Sequence, residues 1–333
     1  MPTSRRVLKK KLTTWQGLEL PYEDAVLYEV LNTVAVDLSI FEHCNEKWLT
    51  AEELARRCDV QPSELFLRIL RFLGWLHLLD VRGRRYKTSD CARPLSSSHF
   101  RDHFALRREE RRWLSNLTDF LRTGQSIDFH ASADPRKLAL YHNAMSERGS
   151  LAEFLLKKLK LTAAPTALLD LGGGSGHMSE PFLARFPSLK VTILDLPSAV
   201  EQFRKGRIAT AYGKRVFYIA ADVRTQPLGT ECYDVVIISF LIHHLQPEHN
   251  TVVLQRAIDS LRPGGVLAVH ENLCSRHERD MRQEFFSWFL FALSSGARTF
   301  YLEDFHKVLR ERNMSKPKFE GSVWYVSTKL GRS

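Results

Sequence analysis

A glycine-rich turn carries the first chemistry that this sequence suggests. The stretch LLDLGGGSGHMS, residues 168–179, changes from apolar to acidic to glycine-rich. Asp170 ends the apolar run, and Gly172, Gly174 and Gly176 follow at every second position. Because glycine has no Cβ, a ligand can lie directly against such a backbone. The pattern predicts a strand that ends in a bare, ligand-binding turn.

The spacing of these glycines separates two classes of enzyme. A dinucleotide-binding turn reads Gly-x-Gly-x-x-Gly, and its last glycine lets the helix pack closely on the strand. Counted from Gly172, that last position is His177, which breaks the dehydrogenase pattern. Glycine at alternate positions suits S-adenosyl-L-methionine, which has no pyrophosphate to place at a helix N-terminus.

Two further aspartates end the next two apolar runs. Asp195 ends VTILD, 19 residues beyond Gly176, where an acidic side chain accepts hydrogen bonds from ribose hydroxyls. Asp222 ends VFYIAAD, where it can accept from the adenine amino group with Val223 against the ring. Each aspartate alone is equally typical of a turn or a helix cap. Together with Asp170, they predict a site for S-adenosylmethionine.

Strands alternating with helices must position these carboxylates. The apolar, β-rich runs are ALLDLGG, KVTILDL, VFYIAAD, YDVVIISF and GGVLAVHE, and helical stretches separate them. Strands that are apolar on both faces predict an α/β fold, with a mostly parallel sheet covered by helices. The run SVWYVSTKL predicts one more strand, antiparallel and at the sheet edge.

The N-terminal part has helical periodicity instead. Thr50 and Glu53 match a capping box at the start of one helix. A second helix starts near Pro62, with its buried face expected at Leu65, Ile69 and Phe72. The residues that follow, 76–90, alternate around a glycine like a small hairpin. Two helices and a hairpin make a winged-helix pattern.

Such a pattern binds DNA or joins two subunits. The candidate phosphate contacts are Arg68, Arg71, Arg84 and Arg85. Against DNA binding, the second helix also carries Leu67, Leu70 and Leu73, and it offers no Asn or Gln for base edges. A helix that is apolar nearly all round is typically buried, which favours dimerisation.

At this point the chain resembles the small-molecule O-methyltransferases of plants and of bacterial natural-product pathways. The motifs are TAEELARRCDVQPSELFLRILRFLGWL, YHNAM, LLDLGGGSG, TILDLPSAV, SFLIHHLQPE and LRPGGVLAVHE. The resemblance implies a winged-helix homodimerisation domain over residues 1–105 and a helical connector over 106–160 that contributes to the substrate pocket. It implies a class I, Rossmann-like methyltransferase domain over 161–333.

The family's general base matches His243, since it follows the fourth strand of that domain. An imidazole that titrates near neutrality can take the proton of a hydroxyl acceptor. The resemblance gives Glu271 the role of orienting this histidine. A second orienting acid is expected at Ala297 or Thr299, depending on the alignment, and neither is a carboxylate. This departure predicts a weaker base, or an acceptor that is already acidic.

The remaining site residues also follow from the resemblance. The cofactor-binding set comprises Asp170, Gly172, Gly174, Gly176, Asp195, Leu196, Asp222, Val223 and Ser239. The acceptor is expected to contact Tyr141, His142, Met145, His244, Phe285, Trp288 and Phe289. An equally simple interpretation of these aromatic residues is that many of them pack the core or a dimer interface.

Composition limits the remaining classes of function. A chain of 333 residues exceeds one typical core, and its net charge of +10 suits an acidic partner or simple solubility. Five scattered cysteines predict free thiols in the cytoplasm and no zinc site, and no metal is expected. The basic start is not expected to be a secretory signal, and no apolar run is long enough for a membrane span.

The sequence thus predicts a cytoplasmic, homodimeric methyltransferase that uses S-adenosyl-L-methionine, releases S-adenosyl-L-homocysteine and methylates a hydroxyl of a small aromatic metabolite. Three alternatives stay open: a nitrogen, carbon or peptide acceptor; a winged-helix DNA-binding regulator that senses S-adenosylmethionine; and a relative that binds the cofactor with different chemistry or none.

Overall fold

The structure is a computed structural model. It describes residues 27–125, 134–145, 149–159, 161, 163–277, 288–289, 291, 297, 299–320 and 324–331. The chain divides into two compact units, one ending at Arg111 and one beginning at Arg112. Within the described ranges, no helix is both long and apolar enough to cross a bilayer.

The first unit is mainly helical. Residues 27–32 are α-helical and continue into a π-helical turn, Thr33–Asp37. The helices that follow are α1 (Ile40–His43), α2 (Ala51–Arg57), α3 (Glu64–Trp75) and α4 (Ser98–Leu114), the last of which continues into the second unit. The strands β1 (Leu49–Thr50), β2 (Leu79–Arg82) and β3 (Arg85–Thr88) form an antiparallel sheet in the order β1-β3-β2.

Local sequence signals set the ends of these elements. The predicted capping box is present: the Glu53 backbone N donates to Thr50 Oγ1 at 3.2 Å, and the Thr50 N donates to Glu53 Oε2 at 2.7 Å. Ser63 caps α3 by accepting from the Phe66 N at 3.2 Å. The predicted hairpin is also present, and Gly83 turns it with a φ of 61°.

The buried face predicted for α3 is wrong by one residue. The side chains that face the core are Phe66, Leu70 and Leu73. Leu65 is 69% exposed and Phe72 is 39% exposed. Both sets have the i, i+4, i+7 spacing of one helical face, so periodicity alone could not choose between them. The helix therefore leaves an apolar face outside the core of its own unit.

The second unit contains one large sheet with helices on both faces. Its strands are β4 (Ala167–Leu171), β5 (Lys190–Asp195), β6 (Val216–Ala220), β7 (Tyr233–Ser239), β8 (Leu261–His270), β9 (Lys318–Glu320) and β10 (Trp324–Thr328). Its helices are α5 (Leu117–Thr123), α6 (Pro135–Met145), α7 (Gly149–Lys158), α8 (Glu180–Arg185), α9 (Pro197–Phe203), α10 (Arg207–Tyr212), α11 (Pro247–Ser260) and α12 (Leu302–Glu311).

The strand order is β6-β5-β4-β7-β8-β10-β9. Strands β4 to β8 pair in parallel, which confirms the predicted α/β sheet. The last predicted strand, β10, pairs antiparallel with β8 as expected. Its predicted place at the edge is wrong, because β9 pairs on its outer side. The order changes direction at β4, so the carboxyl ends of β4 and β7 open a crevice where α/β proteins bind ligands.

Both faces of this sheet are buried in apolar cores. One face packs against α11 and α12, with Leu254, Ile258 and Phe305 fully buried. The other packs against α7, α8 and α10, with Leu155 and Phe182 fully buried. These cores hold the strands rigidly and so fix the strand ends, where the predicted site residues lie.

Candidate active site

The glycine-rich turn follows β4 directly. Gly172, Gly174 and Gly176 have φ values of 67°, 51° and 79°, in the left-handed region that favours glycine. A Cβ on Gly176 would lie 2.7 Å from Ile193 Cδ1, and one on Gly172 would lie 3.0 Å from Leu241 Cδ1. The bare backbone therefore has a steric cause, and the turn packs beside the loop that follows β7.

Asp170 is completely buried beneath this turn. Its Oδ2 accepts a hydrogen bond from Ser179 Oγ at 2.6 Å. Burial raises the pKa of the Asp170 carboxyl to about 7, and the nearby charge of Asp195 adds to this shift. A Cβ on Gly173 would lie 2.6 Å from the Asp170 carboxyl carbon, so the turn can pass over the carboxyl only with glycine there. This geometry supports the turn from below.

Asp195, at the end of β5, holds the same turn from the side. Its Oδ2 accepts from the Gly174 backbone N at 2.8 Å, and its Oδ1 accepts from the Leu196 N at 2.7 Å. Burial raises the pKa of Asp195, whereas these two hydrogen bonds lower it. Each carboxylate oxygen has a second lone pair, which fits acceptance from a pair of ligand hydroxyls.

Asp222, after β6, is paired within its own turn. Arg224 donates from Nε and from a terminal guanidinium nitrogen to the Asp222 carboxylate, at 2.6 to 3.0 Å. These hydrogen bonds lower the pKa of Asp222. Val223 is buried, and Arg256 donates to its carbonyl oxygen at 3.2 Å. The carboxylate that is predicted to accept from adenine therefore already accepts hydrogen bonds from Arg224.

A strained residue leads from β7 into the turn that carries the predicted base. Phe240 has a φ of 49°, a conformation that costs a non-glycine residue about 1–2 kcal/mol. Its backbone N donates to the His270 carbonyl at 2.8 Å, and the two rings lie 4.3 Å apart. The chain then forms a short 3-10 turn, Ile242–His244. Such strain is typical of functional sites.

This turn brings His243 against Glu271, which follows β8. His243 Nδ1 lies 2.8 Å from Glu271 Oε1, and the His243 backbone N donates to Oε2 at 3.3 Å. The Asn272 N also donates to Oε1, at 2.8 Å. Glu271 is fully buried and His243 is 5% exposed. With the shared proton on Nδ1, Nε2 is the ring nitrogen that carries the lone pair of a base.

The position expected for a second acid has a different chemistry. Thr299 is buried, and its Oγ1 accepts from the Cys274 thiol at 3.0 Å. Ala297 is fully buried as well. The position expected for a second carboxylate therefore has the Thr299 hydroxyl, which is hydrogen-bonded to the Cys274 thiol.

Residues of the predicted acceptor wall contact the base turn. Tyr141 Oη, on α6, lies 3.0 Å from His244 Nε2. The His243 and His244 rings are 4.2 Å apart. His142 is buried, with its ring 6.0 Å from that of Phe203 on α9. Tyr141 and His244 thus lie beside His243, whereas His142 packs toward α9.

Other predicted residues are less informative. Ser239 Oγ lies 3.2 Å from His270 Nδ1, at the end of β7. Met145 ends α6, and Trp288 and Phe289 pack edge to face with each other. Phe285 lies outside the described residues. Within those residues, no cluster of three or more His, Cys, Asp or Glu side chains could hold a metal ion.

Sequence reasoning missed three residues that shape the site. Gly173 belongs to the same glycine run as its neighbours, so its tight packing could have been anticipated. Ser179 lies nine residues after Asp170 and carries no motif. The positive φ of Phe240 has no sequence signal, because a bulky aromatic residue rarely adopts it.

Two known proteins are similar in sequence to a large part of this chain. The "Grayanic acid biosynthesis cluster O-methyltransferase" of Cladonia grayi is 28% identical over 234 residues, which cover 66% of this chain. The match spans 51% of that protein, so the chain corresponds to about half of its length. The "3-hydroxy-5-methyl-1-naphthoate 3-O-methyltransferase" of Streptomyces sahachiroi is 26% identical over 72% of each protein.

The fold is also that of a solved structure, human N-acetylserotonin methyltransferase in complex with SAM. It is 17% identical, has a TM-score of 0.75, and the match covers 96% of this chain and 99% of that one. The O-methyltransferase domain family matches residues 108–313, the range that carries the glycine turn and the His243–Glu271 pair. The resemblance inferred from the sequence motifs is therefore confirmed, and this chain belongs to the O-methyltransferase domain family.

Proposed function

We propose that this protein transfers a methyl group from S-adenosyl-L-methionine to a hydroxyl of a small aromatic secondary metabolite, with His243 as general base. The observation that carries the proposal is the buried 2.8 Å contact between His243 and Glu271, beside a glycine turn. Family membership and the substrate names of the relatives support a hydroxyl acceptor.

The residues around the glycine turn fit the cofactor. The backbone of residues 172–176, four of which are glycines, receives the methionine portion, because a ligand can lie directly against a backbone without Cβ atoms. Asp195 accepts from the ribose hydroxyls, with Leu196 beside it, and Asp222 and Val223 receive the adenine. Asp170 and Ser239 support these contacts from the ends of β4 and β7. When bound, S-adenosylmethionine supplies a methyl group on a positively charged sulfur, and S-adenosylhomocysteine is the product.

His243 prepares the acceptor oxygen. Glu271 holds the Nδ1 proton, so Nε2 takes the proton of the acceptor hydroxyl and the imidazolium is stabilised by the buried carboxylate. A positioned base of this kind contributes about 10²–10⁴-fold to the rate. The side chains around the acceptor also hold its oxygen in line with the methyl group and exclude water. In well-oriented systems such positioning lowers the activation free energy by on the order of 7 kcal/mol or more.

Aromatic side chains support a flat acceptor. Tyr141, His142, His244 and Met145 from one side, with Trp288, Phe289 and Phe285, are the proposed acceptor contacts. Rings of this kind stack on aromatic ligands and bury apolar surface. The names of the relatives, which include a naphthoate methyltransferase, are consistent with such an acceptor.

A labelled-methyl assay tests the proposal. The protein is incubated with isotopically labelled S-adenosylmethionine and a panel of hydroxynaphthoates and simple phenols, and products are identified by mass spectrometry. We expect an O-methyl ether, and the His243→Ala variant should lose at least about 10²-fold in kcat. Intact activity in that variant would remove the base and favour transfer by positioning alone. An N- or C-methylated product would contradict the hydroxyl acceptor.

The oligomer and the compartment belong to the same proposal. An apolar face of the first unit supports a homodimer, with Leu65 69% exposed and Trp75 85% exposed on α3. Residues 1–105 are proposed to carry this interface, 106–160 to connect, and 161–333 to catalyse. All five cysteines are free, two of them buried, which supports the cytoplasm as the location.

A further inference from the structure

A phenol and an imidazole from distant parts of the second unit meet beside the base. Tyr141 Oη lies 3.0 Å from His244 Nε2, and the two residues are 103 positions apart in the chain. Their rings are nearly perpendicular, at 83°, with centroids 6.1 Å apart. A contact this long-range is specific to the folded chain and has no local cause.

His244 also packs on the proposed base itself. The rings of His243 and His244 are 4.2 Å apart and tilted by 49°. His243 Nδ1 also bonds to the carboxylate of Glu271, at 2.8 Å. A row of contacts therefore leads from the end of β8 to helix α6. It consists of the Glu271 carboxylate, the His243 and His244 imidazoles and the Tyr141 phenol.

The helix that carries Tyr141 is fixed from a third direction. Asn143 Oδ1 accepts from Gln202 Nε2 at 2.6 Å, which ties α6 to α9. The His142 ring packs edge to face on Phe203, the last residue of α9. Tyr141 therefore lies on a helix that contacts α9, and this contact fixes the position of Tyr141 relative to His244.

The charge of His244 affects the transfer of the acceptor proton to His243. When His243 takes the acceptor proton it becomes a cation, and a second cation 4 Å away would oppose that step. A neutral imidazole accepts a hydrogen bond at its unprotonated nitrogen, whereas a protonated one has no lone pair to offer. A phenol O–H that donates to Nε2 therefore favours neutral His244.

We propose that Tyr141 and His244 are a positioning pair for His243: the phenol keeps His244 neutral, and this fixed neutral ring packs against the base. The inference rests on the proposed base function of His243. It reassigns two side chains from the acceptor wall to the base, so their loss should lower kcat more than it changes KM.

Imidazole nitrogen NMR tests the protonation state without any acceptor. The full-length protein is labelled with ¹⁵N-histidine, and the His244 signals are identified by their absence in His244→Gln. We expect His244 to carry its proton on Nδ1, with Nε2 as acceptor, and Tyr141→Phe to shift it toward the other tautomer or the cation. A proton on Nε2 in the unmodified protein, or unchanged signals in Tyr141→Phe, would overturn the pairing.

Kinetics with an acceptor from the phenol panel test the consequence. Tyr141→Phe should lower kcat by about tenfold, with KM changed by less than about twofold. His244→Ala should match Tyr141→Phe. His244→Gln keeps an acceptor oxygen for the phenol but loses the ring that packs on His243, so its kcat should lie between those of His244→Ala and the unmodified enzyme. Because each change removes the same hydrogen bond, that between Tyr141 and His244, the kcat of the double variant Tyr141→Phe/His244→Ala should be no lower than that of His244→Ala alone.

Two outcomes separate this inference from the proposed function. If His243→Ala is inactive while the losses from Tyr141→Phe and His244→Ala multiply, or fall on KM, the pairing is wrong and the base stands. If His243→Ala keeps full activity, the base itself is wrong and the pairing falls with it. Binding of S-adenosylhomocysteine and the Tm of each variant show whether the fold is retained.

Discussion

Replacing Glu271 by Gln isolates the charge that orients the base. The amide keeps the shape of the side chain, and its oxygen can still accept from His243 Nδ1, which now lies 2.8 Å from Oε1. The amide NH₂ would then face the His243 backbone N, which donates to Oε2 at 3.3 Å. The variant thus loses the negative charge and places one donor against another in a fully buried site.

The expected loss follows from the strength of a charge-assisted hydrogen bond. Such bonds contribute about 1.5–3 kcal/mol, and each ~1.4 kcal/mol is tenfold in rate. Because the imidazolium forms only as the proton is transferred, kcat should fall by about 10- to 150-fold while KM changes by less than about threefold.

The assay is transfer of labelled methyl to the preferred acceptor, with kcat and KM measured separately. Asp304→Asn is a matched control, since it makes the same carboxylate-to-amide change on a partly exposed ion pair with Arg276. Surface pairs contribute about 0–1 kcal/mol, so the control should behave like the unmodified enzyme. A Glu271→Gln enzyme within about twofold of the unmodified kcat would refute the contribution of the Glu271 charge to the base.

Four other predictions use stability, binding and assembly. Gly176→Ala should lower the free energy of unfolding by about 2 kcal/mol or more, since it adds a 2.7 Å contact to a φ of 79°, whereas Gly83→Ala, with open space around it, should cost about 1 kcal/mol; equal losses in urea unfolding would contradict this. Asp195→Ala should weaken S-adenosylhomocysteine binding by at least about tenfold in calorimetry, and an unchanged Kd would exclude its ribose role. Burial raises the pKa of Asp170 to about 7, so the folded chain binds a proton that the unfolded chain releases. This stabilisation should be lost as pH rises from about 4 to about 7, and Asp170→Asn should flatten the decline by up to ~1.4 kcal/mol per pH unit. Parallel curves of Tm against pH for the variant and the unmodified protein would contradict this prediction. Trp75→Glu should convert a dimer into a monomer in light scattering, and an unchanged mass would place the interface elsewhere.

The sheet was predictable because its signals are local. Each parallel strand contains a short apolar run, and three of them, β4, β5 and β6, have an aspartate at or near the carboxyl end. Such runs in alternation with helices allow few other folds. The proximity of His243 and Glu271 follows from the same logic, since β7 and β8 are neighbouring parallel strands with carboxyl ends at one edge. The strand β9 has only three residues, KFE, and one apolar side chain, which is too short a pattern to predict a strand, so the sequence placed β10 at the edge.

The rest depends on tertiary packing that local sequence does not encode. In α3, the sets that begin at Leu65 and at Phe66 have equal helical spacing, and only contact with α2 and the hairpin selects the second. The pairing of Asp222 with Arg224 is local, because the two residues are two positions apart, but the turn conformation that brings them together has no sequence signal. The contact of Tyr141 with His244 joins a helix to a turn across 103 residues and required the folded chain.

Calorimetry on the purified protein tests the central claim most directly. The claim is that Asp195, Asp222 and a bare glycine turn, supported from below by the buried Asp170, surround one adenosine carrying a charged sulfur. Titration with S-adenosylmethionine or S-adenosylhomocysteine should give a saturable heat, and titration with a nicotinamide dinucleotide should give none. Binding of the dinucleotide, with no heat from either sulfur compound, would contradict the account.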